Sequence, residues 1–326
     1  MGVVIVTDHV FPDLKQEREI LAAAGHELRY EGNAGSLDDV LRLVAEADAV
    51  LNCYAPVPAE AIGAMRNCRI IARYGIGLDT IDVDAATDHG VLVSNVPDYC
   101  IDEVSDHALA LVLALARGVV RLNGSVRSGE WNPMVARPLH RLRGRTLGLV
   151  GFGRIARRLA EKVAPIGMRV VATDPYVSSQ SIEAAGVDAV DLATVLSGSN
   201  VVSIHAPMTE ENRHLIGAPE LARMREGAFL VNTSRGPLVD LEALRAALEE
   251  GRLGGAALDV LETEPPEPDD PLLQRSDVIV TPHAAFYSEE SVIEQQRKAA
   301  EQVVAALLGQ TPPYAVNAEA LAARER

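Results

Sequence analysis

Three side chains stand where their types suit acid–base work on a small carboxylic acid. Arg235 lies in VNTSRG, just past an apolar run, where a permanently charged guanidinium can grip a carboxylate through two parallel hydrogen bonds. Glu264 opens the proline-rigid loop EPPEPDDP, a few residues beyond the run GGAALDV. His283 sits in TPHAAF; an imidazole titrates near neutrality and suits proton transfer, and a carboxylate partner would orient its ring. Singly, each has an ordinary structural use: a surface ion pair, a solvated loop charge, a strand-end imidazole. Their succession in consecutive loops, each beyond a strand-like run, points to one shared site. His205 and Asp259 end runs of the same kind.

A second constellation fills residues 145–174, RTLGLVGFGRIARRLAEKVAPIGMRVVATD. Thr146 to Val150 reads as a buried strand, and Gly151-Phe152-Gly153 forces a tight reversal. Arg154 to Ala164 then repeats apolar residues at helical spacing, and a second strand delivers Asp174. G-x-G-x-x-A at a strand-to-helix turn, with an acid about twenty residues on, is the dinucleotide fingerprint. Gly151 permits the turn, and Gly153 lets backbone N–H groups approach a pyrophosphate. Residues Arg154, Ile155 and Ala156 open a helix whose unpaired N–H groups and dipole favour phosphate. Asp174 suits two ribose hydroxyls and repels a 2′-phosphate, so the expected cofactor is NAD.

The elements that must carry these residues follow a strand–helix rhythm, which implies an α/β fold of parallel sheets with helices on both faces. Strands are expected at Val3–Thr7, Glu27–Tyr30, Ala49–Cys53, Ile70–Arg73 and Val91–Ser94, a small flavodoxin-like set. A long helix is expected from Asp102 to Arg127. Six further strands, beginning at Thr146, Met168, Val201, Ala228, Ala256 and Val278, form a doubly wound Rossmann set. A last helix from Glu289 returns the chain to the first domain. The expected domains are therefore 1–98 plus 289–326, and an inserted NAD-binding domain, 99–288.

The formal charge of −16 disfavours nucleic acid and anionic membrane as partners, both being polyanions. It also requires arginines and helix N-termini to make the site locally positive. Three cysteines without C-x-x-C spacing read as buried thiols in a reducing cytoplasm, and no metal is expected. The apolar start MGVVIV is too short for a signal peptide.

The segments ARYGIGLDTIDVDAA, NVPDYCIDEVSDHALALVLALAR, GRTLGLVGFGRIA, GAFLVNTSRGPLVD, GGAALDVLETEPP and TPHAAFYSEES span residues 72–291. Together they resemble the NAD-dependent D-isomer-specific 2-hydroxyacid dehydrogenases, nearest the branch of the C-terminal binding proteins, with phosphoglycerate dehydrogenases next. The resemblance implies hydride transfer between NAD(H) and a small D-2-hydroxy or 2-oxo acid in a cleft between two domains. His283 would be the proton donor, Glu264 its charged partner, and Arg235 the carboxylate ligand. Backbone N–H groups of Gly75, Ile76 and Gly77 would hold the other side of the carboxylate. Residues 151–156, Asp174, His205, Ala206, Thr233, Ser234 and Asp259 would contact NAD, Asp259 through the nicotinamide amide. A homodimer built partly through the helix after residue 100 is implied too. Two departures narrow the substrate: Asn52 stands where phosphoglycerate dehydrogenases place a phosphate-binding arginine, with Arg73 a partial substitute, and Glu264 replaces the glutamine of formate dehydrogenases. An NAD(H)-responsive scaffold or corepressor of the same fold is the alternative function.

Overall fold

Short runs of β-branched and small apolar residues make the strands, and their burial on both faces is what parallel sheets require. The computed structural model describes residues 1–324, which divide into two compact units. One comprises Met1–Cys100 with the chain from Tyr287 onward, the other Ile101–Phe286. The changes of unit thus fall two residues inside the expected inserted domain at each end.

In the first unit, β1 (Val3–Val6), β2 (Glu27–Arg29), β3 (Ala49–Asn52), β4 (Ile70–Arg73) and β5 (Leu92–Ser94) form one parallel sheet in the order β2-β1-β3-β4-β5. β3 and β4 are buried along their whole length. Val40, Leu43, Ile62, Ile71 and Val93 pack one face. The helix Glu289–Leu307 packs against β3, β4 and the helix Lys15–Ala23. It starts at a capping box between Ser288 and Ser291. From it Gln296 Nε2 donates to the buried carboxyl of Glu17 at 3.0 Å, as does Tyr74 Oη at 2.8 Å. Burial holds Glu17 above the usual carboxyl range despite those donors.

In the second unit, β6 (Thr146–Val150), β7 (Arg169–Thr173), β8 (Asp188–Ala189), β9 (Val201–Ile204), β10 (Phe229–Asn232), β11 (Gly255–Leu258) and β12 (Val278–Val280) run parallel in the order β12-β11-β10-β9-β6-β7-β8. The order reverses at β6, which pairs with β7 on one side and β9 on the other. A crevice at such a reversal, beyond the carboxyl ends of the strands, is where ligands of this architecture lie. The sheet has seven strands rather than the expected six: β8 is a two-residue edge strand, too short for any hydrophobic pattern. The long helix is also broken. Ile101–Arg117 and Val119–Arg127 meet at 62° across Gly118, whose φ of 61° ends the first helix. Among the described residues no single helix is long and apolar enough to cross a membrane.

Candidate active site

β10 ends in a loop that its own last residue braces. The Asn232 side chain accepts from the Ser234 N–H at 3.0 Å and donates to the Arg235 carbonyl at 2.8 Å. Ser234 Oγ donates to the Ile204 carbonyl at 3.1 Å, tying the loop to β9. Gly236 then lies so close to the loop after β11 that a Cβ there would sit 2.0 Å from the Leu261 carbonyl carbon. Only glycine lets the two loops touch.

That contact sets Arg235 beside Glu264. Glu264 Oε1 accepts from the Leu261 N–H at 2.9 Å, and Oε2 meets His283 Nδ1 at 2.8 Å. Burial pushes the Glu264 carboxyl up, but the hydrogen bond and charge of His283, the Leu261 N–H and the Arg235 charge outweigh it. The net shift is downward, so the glutamate stays ionised at neutral pH. With Nδ1 held by the carboxylate, the orientation of the imidazole ring is fixed.

His283 itself has φ 53°, a left-handed conformation that costs a β-carbon-bearing residue roughly 1–3 kcal/mol. Asp259, 1 % exposed, holds it there. Its carbonyl accepts from the His283 N–H at 2.8 Å, and its carboxylate accepts from the Ala284 and Ala285 N–H groups, both at 2.9 Å. Thr281 Oγ1 donates to the same carboxylate at 2.5 Å, and His107 Nε2 stands 3.0 Å from that hydroxyl. Asn232, His107 and Thr281 escaped the sequence reading. A signal existed for His107, which falls on the apolar face with Val104, Ala108 and Leu111.

The fingerprint loop has the shape a dinucleotide requires. Gly151 has φ 91°, and a Cβ there would lie 2.7 Å from the backbone at His205 and Ala206. Gly153 is the N-cap of the helix Arg154–Val163, offers no side-chain cap, and faces open space where its Cβ would be. The first N–H groups of that helix therefore remain for phosphate oxygens. Ala156 is fully buried in the cluster with Leu147, Leu149 and Leu159, where a larger side chain has no room. Asp174 accepts from the Phe152 N–H at 2.7 Å and the Tyr176 N–H at 2.8 Å. Both bonds fix the carboxylate at the loop and leave each oxygen further acceptor capacity for ribose hydroxyls. Thr233 Oγ1, buried in the Arg235 loop, has no partner among the described residues, a polar atom awaiting a ligand. The residues present fit NAD. No group of three or more His, Cys, Asp or Glu among the described residues is placed to hold a metal ion.

His205, after β9, contacts Ser203 Oγ through Nε2 at 2.9 Å. Desolvation pushes its imidazole down to about 4 from the ordinary 6.5, so it adds no charge to the crevice at neutral pH. As pH falls, the unfolded chain takes up this proton before the folded one. The associated stability is whole above about pH 6.5 and is lost by about pH 4, up to about 3 kcal/mol. The variant His205→Asn should therefore lose less stability than wild type between pH 7 and pH 4.5 in urea denaturation. Parallel losses in the two proteins would exclude the ring as the cause.

In the first unit, Gly75 follows β4 with φ 128°, and its missing Cβ makes room for the Arg73 guanidinium. The Gly75 carbonyl accepts from Val96 N–H at 2.9 Å and the Ile76 carbonyl from Asn95 Nδ2 at 2.7 Å. The N–H groups of Ile76 and Gly77 donate to no described residue. Asn52 is fully buried and gives its Nδ2 to Thr7 Oγ1 at 3.0 Å and the Ala55 carbonyl at 2.8 Å.

The chain is similar to known proteins. Residues 109–285 match the family described as D-isomer specific 2-hydroxyacid dehydrogenase, NAD binding domain. A glyoxylate reductase of Korarchaeum cryptofilum is 41% identical over 290 residues, 87% of each chain. A D-3-phosphoglycerate dehydrogenase of Archaeoglobus fulgidus is 38% identical over 86% of this chain, which spans only 54% of that longer protein. Among solved structures, D-lactate dehydrogenase from Aquifex aeolicus, complexed with NAD and lactic acid, superposes with a TM-score of 0.85 at 27% identity, covering 94% of this chain and 96% of that one. The fingerprint at the reversal of the sheet, the Glu264–His283 pair and these likenesses agree: the chain belongs to the family of NAD-dependent D-isomer-specific 2-hydroxyacid dehydrogenases.

Proposed function

We propose that the substrate is a small unphosphorylated 2-oxo acid, glyoxylate or a close homologue, reduced to the D-2-hydroxy acid. One observation carries the choice: the buried Asn52 amide, its donors spent on Thr7 and Ala55, is uncharged where related enzymes place a phosphate-binding arginine, and its strand neighbour Arg73 is itself buried. The Korarchaeum relative named glyoxylate reductase, 41% identical to this chain, supports the choice of an unphosphorylated acid.

NADH, held by residues 151–156 and Asp174, would supply the hydride to C2. Arg235 binds the substrate carboxylate and stabilises negative charge growing on the C2 oxygen. His283, held by Glu264 at Nδ1, delivers the proton from Nε2. In the first unit, the Ile76 and Gly77 N–H groups, with Gly75 providing the turn, are assigned to substrate binding. Thr233, Ser234, His205, Ala206 and residues 151–156 are assigned to NAD, and Asp259 both to the nicotinamide end and to the posture of His283. Steady-state NADH oxidation tests the reading with glyoxylate, hydroxypyruvate, 2-oxobutyrate and 3-phosphohydroxypyruvate. The first three should exceed the phosphorylated acid in kcat/KM by tenfold or more, about 1.4 kcal/mol of transition-state discrimination. A preference for the phosphorylated acid would sink it, and silence throughout beside tight NADH binding would favour a scaffold role.

The reading includes a homodimer in a reducing, cytoplasmic compartment. The helix Val119–Arg127 buries none of its residues, and Val119, Val126, Trp131 and Met134 nearby are all more than half or about half exposed, Trp131 at 88 %. A large apolar patch of this kind suits a partner surface. Trp131→Glu should convert a dimer to monomers in light scattering after gel filtration; a wild-type monomer, or a dimer indifferent to the change, would refute it. Cys53, Cys68 and Cys100 form no disulfide, and burial pushes the thiols of Cys53 and Cys68 up to about 12.

A further inference from the structure

At the amino ends of β6, β9, β10, β11 and β12 the second unit carries a cavity of about 710 Å³. The catalytic loops leave the opposite, carboxyl ends of these strands. Four strand residues separate the two ends by about 13 Å, so the cavity is not part of the coenzyme crevice.

Its rim is cationic. Arg121, Arg141, Arg145 and Arg225 line it, and none forms an ion pair with a carboxylate among the described residues. Of the two acids in the lining, Glu226 and Asp277, the second is held by Arg275 at 2.8 Å. The setting makes this unusual. The whole chain carries a charge of −16, yet residues 117–145 hold seven arginines and a single acid, Glu130. Gathering guanidinium groups without counter-charge is unfavourable, and a bound anion offsets it. The floor differs: Leu142, Met168, Phe229 and Leu253 are apolar. The volume falls in the range of small-molecule pockets.

We infer that this cavity binds an organic polyanion, its charges on the arginine rim and its carbon body on the apolar floor. A nucleotide and a polycarboxylate metabolite share that chemistry. Isothermal titration of ATP and of citrate into protein saturated with NADH, at low salt, distinguishes them. One anion per chain should bind with NADH still in place, ATP alone marking a nucleotide and citrate alone a polycarboxylate. Arg141 and Arg225 are exposed, so the double variant Arg141→Gln/Arg225→Gln should fold, bind NADH as wild type does, and weaken the anion at least tenfold. Raising the salt concentration should weaken it further. The inference is overturned if neither anion binds, if NADH displaces the anion, or if the double variant binds it unchanged.

Discussion

His283→Ala is expected to lower kcat for 2-oxo acid reduction by about 10²–10⁴-fold, the range for losing a positioned proton donor, with NADH affinity nearly unchanged. The ring lies beyond β12 with its Nδ1 on Glu264, while the coenzyme loop rests on Gly151, Gly153 and Asp174 around β6 and β7. Removing the imidazole therefore takes away the proton and leaves the dinucleotide contacts. Glu264→Gln gives the complementary result. The carboxylate fixes the ring through Nδ1, so without it kcat should fall by about 10–100-fold with NADH affinity unchanged. Steady-state kinetics and stopped-flow NADH binding check both variants. A His283→Ala protein that no longer binds NADH would show a structural rather than a chemical role. Wild-type kcat in Glu264→Gln would remove the glutamate from the mechanism.

Gly236→Ala should be nearly as damaging, though the glycine touches no reacting atom. Its new methyl would lie 2.0 Å from the Leu261 carbonyl and 2.5 Å from the Glu262 nitrogen. Those atoms are backbone and cannot rotate away, so the loops after β10 and β11 must separate. Arg235 and Glu264 ride on those two loops. A displacement of roughly 1 Å at a reacting centre costs about 10²-fold in rate, and overpacking of this kind about 1–3 kcal/mol in stability. Steady-state kinetics should show a fall in kcat/KM of about 10²-fold or more, and denaturant unfolding a lower midpoint. Wild-type kinetics in the variant would mean that the two loops are not coupled.

Much of the frame was legible from local pattern. Alternation of apolar strands and amphipathic helices yielded the five strands and the flavodoxin-like class of the first unit, because a βα rhythm with short connections leaves few topologies. Gly151, Gly153, Ala156 and Asp174 announced a turn, a helix start and a carboxylate within one short stretch. The break at Gly118 was missed because glycine in a helical pattern is compatible with continuing or ending. The folded chain ends the helix there, Gly118 taking φ 61° with Ala136 so near that a Cβ at position 118 would lie 2.9 Å from it. The strand at Asp188–Ala189 was missed because two residues carry no period.

The sequence by itself determined which residue types stand at the ends of which strands: Arg235, Glu264 and His283 were named before any contact among them was visible. Tertiary structure alone decided how they are held. The brace from Asn232, the close approach at Gly236 and the Asp259 hub that keeps His283 left-handed join loops from different strands. His107 reaches Thr281 across 174 residues of chain. Periodicity and turn chemistry act over a few residues and can be read in order. A hydrogen bond between distant segments exists only after the sheet and its helices have packed, and its geometry is set by that packing.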